Sequence, residues 1–101
     1  MLKIRKRSGE EVIFDRAKIE NAIRKANTSV SPSERLRDKE ICRIAEDIEE
    51  NCENAGGIPT VEEVQDMVVM AIMKRAAYRL AMNYTTYRYQ HELLRKSNTT
   101  D

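Results

Sequence analysis

Residues 4–18 read Ile-Arg-Lys-Arg-Ser-Gly-Glu-Glu-Val-Ile-Phe-Asp-Arg-Ala-Lys. Leu2 and Ile4 alternate with polar residues, and Val12 and Phe14 do so again, less cleanly because Ile13 is also apolar. The pattern predicts two short strands, Leu2 to Arg7 and Glu10 to Phe14, joined by a tight turn at Ser8-Gly9. Asp15 then supplies an oxygen to cap a helix. Lys18 falls in the first turn of that helix, beside backbone N–H groups that can face an anion. A basic strand, a turn and a helix start can thus aim cations at one polyanion. This points to a phosphate-bearing ligand held without a glycine-rich loop.

Working outward, Ile19, Ala22, Ile23 and Ala26 recur at helical spacing. A loop with Pro32 follows, and a second helix is expected to begin between Ser33 and Leu36. Its buried stripe is Ile41, Ile44, Ala45, Ile48 and Cys52, and Asn54-Ala-Gly-Gly57 ends it with glycine available for the left-handed conformation. Ile58 offers a short third strand beside the hairpin. Thr60 followed by Glu63 is a capping box, and Val61, Val64, Val68 and Ala71 mark the third helix. A break is expected near Arg75-Ala76. The last helix carries Leu80, Ala81, Tyr84, Tyr87, His91 and Leu94, and Ser97 to Asp101 reads as a polar, frayed tail or linker. The expected fold is therefore α+β: a small antiparallel β-hairpin, or three-stranded sheet, capping a four-helix bundle. The expected division is one domain over residues 1–96 and a tail over 97–101.

Composition narrows the function classes. With 101 residues, 41% hydrophobic and 35% charged, the chain suits one ordered domain with a modest core. No apolar run approaches the roughly 20 residues that span a bilayer. No secretory leader is visible, and a reducing cytoplasm is the default setting. Cys42 and Cys52, if on one helix, stand about 15 Å apart, too far for a disulfide. Two cysteines and one histidine make no zinc set. Net charge is +1, but it is blocked: Lys3, Arg5, Lys6 and Arg7 crowd the start, and Glu40 to Asp66 holds nine acidic residues against Arg43 alone. That distribution fits a local cationic site better than a general nucleic-acid binder.

Each candidate residue has a plainer reading. Lys6 and Arg7 can be a charged edge that discourages strand pairing, and a regular strand would point only one of them into a pocket. Lys18 opposes the helix dipole, a mismatch an anion would reverse, yet it can also be a solvated lysine. Thr60 is first a helix cap. Gln65 can present its amide to a base or sugar edge, or face solvent. Arg88 can clamp phosphate, or lie over Tyr84. Tyr84 and Tyr87 read as core or interface before stacking platforms, and Met67, Met70, Met73 and Met82 as core or packing surface. There is no GxxxxGK[ST] loop and no GxGxxG fingerprint. Glu49-Glu50 and Glu62-Glu63 point about 100° apart on helices and make poor catalytic pairs. No catalytic residue and no metal-ligand set is expected.

Three anchors together resemble the ATP-cone, the nucleotide-sensing module best known at the N-terminus of ribonucleotide reductases. They are Lys6-Arg7-Ser8-Gly9, then Phe14-Asp15 through Lys18-Ile19 and Ala22-Ile23, then Val61-Glu-Glu-Val-Gln-Asp66 with Tyr87-Arg88. The resemblance covers roughly Lys3 to Arg95. It implies binding of ATP or dATP, with Mg2+ on the phosphates. It assigns Lys6 and Arg7 to phosphate, Asp15 and Lys18 to base and phosphates, Thr60 and Gln65 to the base or sugar, and Arg88 to phosphate. Ser8 replaces the usual aspartate. Arg75-Ala76-Ala77 stands where the family tends to have glycine. The ending Tyr87-Arg-Tyr-Gln-His-Glu-Leu-Leu-Arg95 looks most like the anaerobic ribonucleoside-triphosphate reductase branch, whose catalytic body would then be a partner. A transcriptional repressor of reductase genes, which carries a zinc ribbon before its cone, and a free-standing module are the alternatives. Self-association is a further expectation, through Met70, Met73, Tyr78 and Tyr87 on the last two helices. Two readings of other classes are a nucleic-acid-binding module and a helical interaction module without a small ligand.

Overall fold

The computed structural model describes residues 1–98, and side-chain surroundings over residues 1–90. The chain forms β1 (Lys3–Arg5), β2 (Glu11–Ile13), α1 (Arg16–Asn27), α2 (Asp38–Ala55), α3 (Val61–Lys74) and α4 (Tyr78–Asn98). β1 and β2 pair antiparallel, with Ile4 opposite Val12 and Arg5 opposite Glu11. The Arg5 guanidinium meets the Glu11 carboxylate across the ladder at 2.8 Å. Gly9 turns the hairpin at φ 93°, a backbone setting where a Cβ costs energy.

Both strands are shorter than their pattern predicts. β1 stops at Arg5, and Lys6 and Arg7 belong to the turn, where Gly9 N–H donates to the Lys6 carbonyl at 2.9 Å. The Lys6 N–H still donates to the Glu10 carbonyl at 2.8 Å, so alternation carries on to it, and Lys6 lines the same cavity as Ile4 while Arg7 does not. The third strand at Ile58 does not form among the described residues. Instead Arg5 makes one isolated parallel bridge with Thr60, its N–H donating to the Pro59 carbonyl at 2.8 Å. Pro59 has no N–H to continue a ladder, and the next residue is already committed to capping α3. The sheet is two-stranded, stitched to the α3 start.

The helices obey their stripes. Ile19, Ile23 and Ala26 of α1 are buried, as are all five expected residues of α2. Val64, Val68 and Ile72 are the buried row of α3, while Val61 and Ala71 are only half-buried. Leu80, Ala81 and Tyr84 complete the core from α4. The side chains of His91, Leu94 and Arg95 lie outside the described ones. Of the expected tail, Ser97 and Asn98 belong to α4, and residues 99–101 lie outside the described residues.

The start of α2 is also later than expected. A 3-10 turn occupies Pro32–Glu34, and α2 begins at Asp38. The side chain of Asn27 explains the delay. Its Oδ1 accepts from the Leu36 N–H at 3.1 Å and its Nδ2 donates to the Leu36 carbonyl at 2.9 Å. With both main-chain groups satisfied there, Leu36 enters the core without joining a helix. Arg24 then docks α1 on α2 through Asp38 at 2.8 Å, a hydrogen bond that holds the Asp38 carboxyl below its ordinary range. At the far end α2 stops at Ala55, and Gly56 and Gly57 both take φ 74°.

Candidate functional site

The hairpin, α1, α3 and α4 enclose a cavity of about 220 Å³. Its walls are mostly apolar: Ile4, Val12 and Phe14 from the hairpin, Ile19 and Ala22 from α1, and Val61, Val64 and Val68 from α3. Its polar lining is Lys6, Asp15, Lys18 and Gln65, with Tyr84 from α4. Four of the seven sequence-predicted residues thus meet at one cavity.

Each is placed by its element. Lys6 is exposed in the hairpin turn, and its ammonium group stands 3.7 Å from Glu10. Asp15 caps α1, its Oδ1 accepting from the Ala17 N–H at 3.0 Å. Lys18 lies one turn in, exposed to solvent. Gln65 sits one turn from Val61 and Val68 on the inward side of α3. Its side-chain oxygen is buried and has no hydrogen-bond partner among the described residues. Leaving such an acceptor unpaired costs roughly 1–3 kcal/mol, so the arrangement calls for a partner. Tyr84 is 5% exposed, and burial pushes its hydroxyl up to about 12.

The other three lie beside the cavity. Thr60 caps α3: its Oγ1 accepts from the Glu63 N–H at 3.1 Å, and Glu63 returns the contact to the Thr60 N–H at 3.3 Å. Arg7 reaches the first turn of α3 and meets Glu62 at 3.3 Å. Arg88 comes from α4 and meets Asp66 at 2.8 Å. Glu62 and Asp66 are four residues apart and share a face of α3. Nothing in the sequence pattern singled out these two carboxylates, because their partners are remote along the chain. The spacing of four was their only local sign.

The methionines divide. Met67 packs on the core, its sulfur 3.9 Å from that of Cys52, while Met70, Met73 and Met82 are exposed together with Tyr78. Tyr87 is half-buried, with the Lys25 ammonium 6.0 Å from its ring centre. Among the described residues no helix is long and apolar enough to cross a membrane.

A two-stranded hairpin thus lies over four helices, with Lys6, Lys18 and Gln65 around a mostly apolar cavity. The family model of the ATP cone domain matches residues 2–93, so the chain belongs to the ATP-cone family. It is a nucleotide-binding regulatory module and not a catalytic one.

Proposed function

We propose that the cavity takes the base and sugar of ATP or dATP, and that Lys6, Arg7, Lys18 and Arg88 hold the polyphosphate. The observation that carries this reading is the mostly apolar cavity lined by Gln65, whose buried side-chain oxygen has no partner among the described residues, with the exposed Lys6 and Lys18 also in its lining. An apolar slot suits a planar base, and a small turn of the Gln65 amide would let it pair with a polar edge of that base. The volume is below the roughly 300 Å³ usual for whole-ligand pockets, so the phosphates lie outside it, toward the cations. Asp15 and Thr60 stand where base or sugar would approach the starts of α1 and α3. Arginine suits bidentate contact with phosphate, and lysine acts as a point charge.

Mg2+ would travel with the nucleotide. No group of three or more histidine, cysteine or acidic side chains able to hold a metal occurs among the described residues. Phosphate oxygens and water would supply its ligands, as Mg2+ commonly accepts.

The domain, residues 1–96 with the remainder as a linker, then serves as the regulatory segment of a ribonucleoside-triphosphate reductase of the anaerobic type in the cytoplasm. Nucleotide shifts its docking on the catalytic body or its self-association, which requires unequal binding to two states. The exposed Met70, Met73 and Tyr78 are the contact surface in this reading. A thermal-shift titration tests the binding step, because a ligand that binds only the folded state raises the midpoint with concentration. No shift at millimolar ATP or dATP would remove the proposal. Sedimentation with ATP, with dATP and without nucleotide tests self-association. An unchanged monomer in all three would assign the output to docking on the catalytic body.

A further inference from the structure

Two of the proposed phosphate ligands are engaged by carboxylates of α3. Arg7 from the hairpin meets Glu62 at 3.3 Å, and Arg88 from α4 meets Asp66 at 2.8 Å. The two acids stand one helical turn apart, next to Val61 and Gln65, which line the cavity. A carboxylate offers an arginine the same planar pair of oxygens that a phosphate does. The Arg88 side chain is only 21% exposed, whereas that of Asp66 is 68% exposed. The arginine is therefore the enclosed half of the pair, and the carboxylate the solvated half. Exposed pairs of this kind contribute little and break readily.

We propose that Glu62 and Asp66 are built-in competitors for the nucleotide's phosphates. They hold Arg7 and Arg88 in the empty domain and yield them to a triphosphate, which carries several charges where each acid carries one. The two acids thereby set the affinity of the site and its dependence on phosphate number. This rests on the reading that Arg7 and Arg88 are phosphate ligands.

The test is calorimetric titration of the whole chain with ATP and with AMP, comparing wild type, Glu62→Gln, Asp66→Asn, Arg7→Ala, Arg88→Ala and the double variant Arg7→Ala/Glu62→Gln. Both carboxamide variants are expected to bind ATP roughly two- to fivefold tighter than wild type, the range that an exposed ion pair spans. Their gain for AMP should be smaller. In the Arg7→Ala background the gain from Glu62→Gln should vanish, since the competition has lost its object. A gain that persists there would mean a general field effect and would overturn the proposal. So would carboxamide variants, folded by melting temperature, that bind ATP no tighter. If the alanine variants weaken ATP and the carboxamides do nothing, only the competition fails. If wild type itself binds no ATP, or the alanine variants bind as well as wild type, the phosphate-ligand reading fails and the competition with it.

Discussion

At its N-terminal end α3 matches polar groups in pairs. Thr60 and Glu63 close a capping box, Glu62 faces Arg7, and Asp66 faces Arg88. At its C-terminal end the same helix stops at Lys74, and the chain turns through Ala76 at φ 60°, a left-handed setting that favours glycine. Met70, Met73, Tyr78 and Met82 stand exposed around that turn. One tie there is plain: Glu40 caps the start of α2 with Oε1 and holds Arg75 with Oε2 at 3.3 Å. The contrast teaches that the two ends carry separate tasks. In the proposed function, the ion pairs at the cavity end open to admit a charged ligand. The far end tolerates backbone strain and leaves an apolar surface, the contact surface of the proposed function. Changes at the cavity end should therefore move affinity directly, and changes at the other should move stability and assembly.

The largest expected effect lies at the cavity end. Lys6→Ala or Arg7→Ala should weaken ATP binding by roughly 1.5–3 kcal/mol, the range for a charge-assisted hydrogen bond. Melting temperature should barely move, because exposed charges contribute little to folding. A variant that unfolds while its affinity survives would reverse the assignment. Next comes alkaline stability. The Tyr84 hydroxyl titrates near pH 10 in the unfolded chain and is pushed up to about 12 in the folded one. The folded state keeps this proton longer, so its stabilising contribution is complete below pH 10 and is lost as pH rises from 10 through 12. The loss amounts to roughly 2–3 kcal/mol, and Tyr84→Phe should flatten that part of a denaturant-unfolding profile taken against pH.

Thr60→Ala should cost about 1 kcal/mol in folding, read from the same unfolding curves, because two partners of the cap are lost. The smallest effect sharpens the contrast from the other side. Ala76→Gly should stabilise the fold by up to about 1 kcal/mol, since relief of the left-handed strain is partly offset by glycine's freedom in the unfolded chain. ATP affinity should not change. A destabilised Ala76→Gly would show that the junction is not strained, and a change in affinity would couple the two ends.

Much of this was legible in the sequence because it is local. The stripe Ile41, Ile44, Ala45, Ile48 and Cys52 needs only helical spacing, and Asp15 and Thr60 cap helices through contacts within three residues. The departure at Arg75-Ala76-Ala77 was visible as a missing glycine, and the left-handed Ala76 is its structural form. What escaped depends on distant partners. The delayed start of α2 comes from Asn27 reaching Leu36, and the missing third strand from the brief pairing of Arg5 with Pro59 and Thr60. Alternation, by contrast, told Lys6 from Arg7: Lys6 lines the cavity with Ile4, and Arg7 does not. The unpaired Gln65 oxygen could not be seen without the walls around it.

The central claim is that this cavity binds an adenine nucleotide through its triphosphate. Calorimetric titration of the chain with ATP, with dATP and with a short DNA duplex tests it most directly. The account predicts saturable binding of ATP and dATP and no comparable binding of the duplex. Binding of the duplex that weakens steeply with salt, with no heat from either nucleotide, would contradict it and favour a nucleic-acid module. Silence from all three would leave the helical interaction surface as the remaining function.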